Sequence, residues 1–317
     1  MEVPGIHHVT AICGDPQANI DFYTSTLGIR LVKLTVNFDD PQSYHLYYGD
    51  ASGRPGTILT FFAWPGAPRR WRGTGQVTTV SFSAPSNSLD FWKKRLTGKG
   101  VKIETESKRF DDEAIVFYDP DGLQLELVAS PKDDREGWKE GPVPSEYTVK
   151  GFYGVTLSVE GYEQTASLLT GVMGFHFVGQ KGDRFRYRSA GIENPSTVDI
   201  LCLPGAKWGE VSLGTVHHVA WRTPNDEEQR AWREKLVKAR LNVTPVIDRK
   251  YFHSIYFREP GHVLFEIATD PPGFTVDEPL EKLGSALTLP AWLEPMRSHL
   301  ESILPPVKLP DTQKAAD

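Results

Sequence analysis

At 317 residues the chain is longer than one small hydrophobic core usually fills, so two compact halves or a row of repeated units are the arrangements to test. A hydrophobic share of 39% against 24% charged residues is the balance of an ordinary folded globular protein and excludes a disordered or fibrous chain. The net charge of -6 with scattered basic residues argues against a nucleic-acid partner. No stretch approaches the roughly 20 apolar residues that span a bilayer, and MEVPGIHHV is unlike a signal peptide, so no membrane partner and a cytoplasmic location are expected.

The first predicted strand, GIHHVTAI (5–12), is followed by a polar stretch of helical type, DPQANIDFYTSTLG, and a closing strand TILTFFAWPG. A second opening, VTTVSFSAP (77–85), leads to SNSLDFWKKRLTGKG and to the hairpin AIVFYDPDGLQLELVA, whose D-P-D-G is a turn signal. After a charged linker, PKDDREGWKEGPVPSEY, come GFYGVTLSV (151–159), GYEQTASLLTGVMG and TVDILCLPG. The fourth opening, TVHHVAWR (215–222), repeats the form of the first, and is followed by NDEEQRAWREKLVKAR and by HSIYFREPGHVLFEIA, a hairpin placed like that of the second unit. Beyond 270 a Pro-rich stretch leads to an amphipathic helix over AWLEPMRSHLESIL and a polar, loose tail from about 305.

The pattern is therefore four β-α-β-β-β modules, 5–66, 77–130, 151–205 and 215–270, with 271–317 as C-terminal helix and tail. One such module cannot bury its own sheet face, so an α+β fold is expected in which modules pair into two half-open eight-stranded barrels, each around a cavity. Cys13 and Cys202 are the only cysteines and form no C-x-x-C pair, so a disulfide framework and a thiolate metal cage are both excluded; they are read as buried small residues.

The H-H-V strands and the D-P-D-G-L-Q-L-E-L hairpin (119–127) resemble the vicinal oxygen chelate superfamily (glyoxalases, bleomycin resistance proteins, extradiol dioxygenases). Within it the chain is similar to the hydroquinone ring-cleaving dioxygenases over about residues 5–300. The resemblance implies that ligands come from the first and last strand of each module. Module 1 offers His8, with Thr60 or Phe61 opposite; module 2 offers Val80 and Glu126; module 3 offers Gly154 with Asp199 or Ile200; module 4 offers His218 and Glu266. Pairing in chain order would strand His8 with Glu126 and leave each site two ligands short. Pairing module 1 with 4 and module 2 with 3 collects His8, His218 and Glu266 into a two-His-one-carboxylate facial triad, while Glu126 alone is structural. The resemblance implies the same triad. A facial triad leaves adjacent positions of iron(II) open for an aromatic hydroxyl and dioxygen; manganese(II) suits the same donors.

By the same resemblance Thr10, His217, Arg249 and Tyr256 surround the metal, and His7 is matched too. Tyr256 could donate to a substrate or dioxygen oxygen, Arg249 could stabilise an anionic substrate, and His217 is a candidate acid or base. Strand alternation places Thr10 inward with His8 and His7 outward or toward the rim. Read without a metal, Tyr256 is a half-buried strand aromatic, Arg249 a solvated charge and His217 a surface or orienting group. Trp64, Trp71, Phe61, Phe62, Trp221 and Phe265 are core residues by default, and His253 and His262 rank below the triad as ligands.

The expected function is an extradiol-type iron(II) dioxygenase that opens a hydroquinone- or catechol-type ring with dioxygen; a homo-oligomer is compatible with it. One rival is a glyoxalase-like lyase or isomerase, which would take four protein ligands. The other is a metal-free small-molecule binding protein of the same fold, in which no metal copurifies.

Overall fold

The computed structural model describes residues 1–191 and 196–310, with backbone alone at 105–108; the expected loose tail lies largely in 311–317, outside the described residues. Each module contributes four strands. They are β1 (Ile6–Cys13), β2 (Arg30–Asn37), β3 (Asp40–Gly49) and β4 (Ile58–Ala63), then β5 (Gln76–Ala84), β6 (Ile103–Arg109), β7 (Asp112–Tyr118) and β8 (Gln124–Ala129). The second half has β9 (Gly151–Val159), β10 (His176–Lys181), β11 (Arg184–Arg188) and β12 (Thr197–Cys202), then β13 (Val216–Thr223), β14 (Ile247–Asp248), β15 (Phe252–Arg258) and β16 (Leu264–Pro272).

The sixteen strands form two sheets, ordered β14-β15-β16-β13-β1-β4-β3-β2 and β10-β11-β12-β9-β5-β8-β7-β6. The outer modules thus share one sheet through β1 and β13, and the inner modules share the other through β5 and β9, as expected. The fold is α+β.

A helix follows the first strand of every module: α1 (Pro16–Asp21), α2 (Leu89–Gly98), α3 (Glu163–Ser167) and α4 (Asp226–Lys238). Side chains at Asp15 and Asn225 cap α1 and α4 by accepting from Gln17 N and Glu228 N. In α4 the buried residues Gln229, Trp232 and Leu236 form the single stripe that faces the sheet. The helices of modules 1 and 3 run on into π-helical turns, Phe22–Thr26 and Leu168–Val172. In both, a threonine hydroxyl bonds back to the carbonyl four residues earlier, Thr24 to Ile20 and Thr170 to Ala166, a contact that competes with the regular ladder. Gly28 follows the first of these turns at φ 65°, where a side chain would also strike Val143.

The C-terminal segment straps the two free edges of the outer sheet together. Gly273 N bonds Tyr251 O beside β15, while Thr288 N bonds Leu34 O on β2. Between them the fully buried Lys33 ammonium meets Asp277 at 2.6 Å and also pairs with Glu278. The expected helix over 291–304 is shorter: a 3-10 turn at Glu294–Met296 precedes α5 (Arg297–Ile303), because Pro295 has no N–H to offer an earlier start. Cys13 is buried, Cys202 half-buried, and both are free thiols. No helix among the described residues is long and apolar enough to cross a membrane.

Because Lys33 holds two carboxylates of the strap, Lys33→Met should cost about 3 kcal/mol in urea denaturation, as expected when one partner of a buried ion pair is removed.

Candidate metal centre

The pairing of β1 with β13 is antiparallel and carries two bulges. The register runs Ile6 to Trp221, then His8 to Ala220, so His7 is an extra residue on β1. It runs Thr10 to His218, then Ala11 to Val216, so His217 is the extra residue on β13. A bulge re-aims side chains that strict alternation would send to opposite faces. His7 is consequently not turned out to the rim: it is buried, packs on Phe252, and sets its Nδ1 2.9 Å from His8 Nδ1. His217 Nδ1 lies 2.8 Å from His218 Nδ1 in the same way. Each histidine pair has one imidazole bracing the next.

The free Nε2 atoms of His8 and His218 stand 3.2 Å apart, and Glu266 Oε2 lies 3.3 Å from the first and 3.0 Å from the second. Three donors at right angles around a divalent ion, each at about 2.1 Å, would be about 3.0 Å from one another. Glu266 is fully buried, with Oε1 held by the Ser254 hydroxyl. Both ring nitrogens are within ion-pair reach of Oε2, but neither is aligned to donate to it, which leaves that oxygen without a hydrogen bond. An orphaned carboxylate oxygen between two imidazole nitrogens fits a metal better than an apolar core.

The charge states agree with that donor set. Burial, reinforced by His8, holds the His218 imidazole below its ordinary range despite the carboxylate beside it, so the ring is neutral and keeps a lone pair. Burial pushes the Glu266 carboxyl up, but the facing His8 and His218 outweigh it and hold it well below the usual range. If Nε2 of each ligand turns its lone pair inward, Nδ1 carries the proton and donates to His7 or His217, fixing ring orientation. His217 itself is pushed down to about 3 by burial and by His218, so it is neutral and braces its neighbour through Nδ1.

With Glu266 buried behind them, His8 and His218 line a cavity of about 330 Å³. Thr10 faces it with His8, as alternation requires, and Arg249, Tyr256 and His217 line it as well. Arg249 Nε donates to the Tyr256 hydroxyl at 3.2 Å while Nη1 pairs with Asp39 at 2.9 Å. Phe62 and Trp64 are cavity walls, whereas Phe61, Trp221 and Phe265 are fully buried core and Trp71 is largely exposed. His253 is tied to Asp226 at 2.6 Å, and His262 packs against Trp208; neither lines the cavity.

Several cavity residues have no counterpart in the sequence expectations, His45 and Tyr47 among them. His45 and Tyr47 share one face of β3 and both line the pocket. Their spacing of two on a strand was the available signal, but SYHLYYG reads equally well as an aromatic core strand.

The inner sheet repeats the same bulges, with Thr78 and Tyr153 as the extra residues, so the positions matching His8 and His218 are Thr79 and Gly154. Val80, the expected module 2 position, is off by one residue because the bulge shifts the count. Glu126 is buried and held by Ser81 at 2.6 Å and by Arg109. Arg186 grips Asp199 through Nε at 2.7 Å and Nη2 at 2.9 Å and also pairs with Asp112. These side chains leave room for only about 10 Å³.

The family model of the Glyoxalase/Bleomycin resistance protein/Dioxygenase superfamily matches residues 5–127 and 152–267, and the chain belongs to that superfamily. It is 48% identical over 305 residues to the putative ring-cleaving dioxygenase MhqO of Bacillus subtilis, covering 96% of this chain and 97% of the relative. It is 34% identical over 307 residues to the chlorohydroquinone/hydroquinone 1,2-dioxygenase of Sphingobium indicum, covering 94% and 95% of the two chains. A crystal structure of a putative dioxygenase from Bacillus subtilis matches with a TM-score of 0.94 at 47% identity, covering 98% of this chain and 99% of that one. The relatives support a dioxygenase that cleaves an aromatic ring.

If the three donors hold a divalent ion, chelator-treated protein should gain about 2.7 kcal/mol of stability when iron(II) or manganese(II) is present at a hundred times its dissociation constant. Melting curves should show the gain lost in His8→Ala and in Glu266→Gln and kept in His253→Ala.

Proposed function

We propose that the protein is a non-haem iron(II) dioxygenase that opens the ring of a hydroquinone-type aromatic next to a hydroxylated carbon, the extradiol type of cleavage. The observation that carries this reading is the donor count. In the outer sheet Thr60 occupies on β4 the register position that Glu266 occupies on β16, since Thr10 pairs with Thr60 as Ala220 pairs with Glu266. Thr60 is committed elsewhere, to Thr10 and His45, so the described residues supply three donors and leave coordination positions for exogenous ligands. A glyoxalase-like lyase, expected to use four protein ligands, is disfavoured on the same ground.

When bound, iron(II) would bring a phenolate and dioxygen together and pass electrons between them, chemistry that side chains do not supply. The chain does the rest. His8, His218 and Glu266 would hold the ion, and His7 and His217 would fix the rings of the two histidines. Phe62, Trp64, Phe38 and Phe252 provide apolar walls for a flat ring and displace water. Arg249 spends its Nε–H on the Tyr256 oxygen, leaving the phenol proton free to point into the cavity toward a substrate or dioxygen oxygen. The 1,2-dioxygenase named among the relatives acts on chlorohydroquinone and hydroquinone, which favours a para-diol over a catechol.

Anaerobic reconstitution with iron(II) followed by oxygen-electrode measurement across hydroquinones and catechols tests the proposal. Oxygen uptake should be fastest with a hydroquinone and absent in His218→Ala. Protein that retains iron and consumes no oxygen with any diol would overturn it.

A further inference from the structure

A second polar chain runs through module 1 and ends at Thr10, beside the metal-site donor His8. Tyr47 Oη lies 2.9 Å from His45 Nδ1, His45 Nε2 lies 2.8 Å from Thr60 Oγ1, and Thr60 Oγ1 lies 2.9 Å from Thr10 Oγ1. Tyr47, Thr60 and Thr10 are buried, and Thr10 faces the cavity beside His8. The placement is set by the repeat. Tyr47 pairs across to Thr60 as Tyr256 pairs to Glu266, and His45 stands two residues before Tyr47 as Ser254 stands before Tyr256. In module 4 Ser254 holds the carboxylate; in module 1 His45 holds the hydroxyl that replaces it.

The chain can be polarised in only two ways, because every member carries one mobile proton. In one direction Tyr47 donates to His45 Nδ1, His45 Nε2–H donates to Thr60, Thr60 donates to Thr10, and the Thr10 proton is left for the cavity. In the other, Thr10 spends its proton inward and the Tyr47 hydroxyl must find an acceptor of its own. Both ends of the chain border the cavity, so donor and acceptor strength sets the direction: a phenol is a stronger donor and a weaker acceptor than an aliphatic hydroxyl, which favours Tyr47 donating to the imidazole and His45 donating to Thr60. No carboxylate touches either ring nitrogen of His45, and burial, reinforced by His8 and His218, outweighs Glu266 and disfavours the doubly protonated ring that would break the one-way order.

We propose that His45 is a positioning residue which, acting through Thr60, turns the Thr10 hydroxyl into a dedicated hydrogen-bond donor to the oxygen of a phenolate bound in the cavity. This rests on the dioxygenase reading for the identity of the ligand, but the polarity of the chain does not. Thr10 on β1 and Tyr256 on β15 then present donors from the two outer modules, each with its own oxygen occupied from behind, by Thr60 and by Arg249. Donors prepaid in this manner need no reorganisation when an anionic oxygen arrives.

Thr60→Val keeps the shape of the side chain and removes the link, and a double-mutant cycle with Thr10→Val reads the coupling. Calorimetric titration of hydroquinone into the anaerobic iron(II)-loaded protein should show about tenfold weaker binding in Thr60→Val and in Thr10→Val, with no further loss in the double variant. Equal Thr60→Val losses in both backgrounds would overturn the proposal. Independently, histidine-selective nitrogen-15 NMR of the zinc(II)-loaded protein should find His45 protonated at Nε2 and bare at Nδ1; the opposite tautomer would overturn it whether or not hydroquinone binds. Failure of the wild type to bind hydroquinone, with the Nε2–H tautomer present, would count against the dioxygenase reading and leave the chain's polarity supported.

Discussion

Everything at the candidate centre hangs on one strand pairing, β1 against β13, made between residues about 210 positions apart. A regular antiparallel ladder there would place His8 and His218 on one face and send His7 and His217 to the other. The two bulges change this: each shifts the register by one residue and folds the preceding imidazole back against the ligand beside it. One local departure from regular geometry, made twice with near-twofold symmetry, thus yields both the donors and their braces. The strap from Gly273 to Leu289 then ties the free edges of the same sheet together around the buried Lys33 ammonium.

The four modules show what one scaffold permits. Positions equivalent to the two histidines hold His8, Thr79, Gly154 and His218, and positions equivalent to the carboxylate hold Thr60, Glu126, Asp199 and Glu266. In the inner sheet the acids are neutralised by Arg109, Arg184 and Arg186, and the space a ligand would need is filled. Buried carboxylates must be paired with something, and guanidinium does there what a metal ion would do in the outer sheet. Among the described residues no arginine pairs with Glu266; Arg249 is spent on Tyr256 and Asp39.

Much of this was readable from the sequence for a simple reason: repeats announce themselves, and histidine and glutamate at matching strand positions are chemically conspicuous. The module pairing followed because the alternative order left no complete donor set. What could not be read depends on single-residue geometry. A bulge leaves no compositional mark, so strand alternation sends His7 outward or toward the rim and gives Val80 a position that belongs to Thr79. His45 and Tyr47 were missed because an aromatic strand has the same pattern whether it walls a cavity or fills a core. The strap was missed because its contacts, Lys33 with Asp277 and Leu34 with Thr288, join segments whose sequences carry no sign of each other.

The central claim is that β1 and β13 bring three donors to one point for one ion. Crystals of the iron-loaded protein measured on both sides of the iron absorption edge test it most directly. The account predicts a single anomalous peak per chain within about 2.2 Å of His8 Nε2, His218 Nε2 and Glu266 Oε2. A peak at His253 and Asp226, at Glu126, or at no protein donor at all would contradict it.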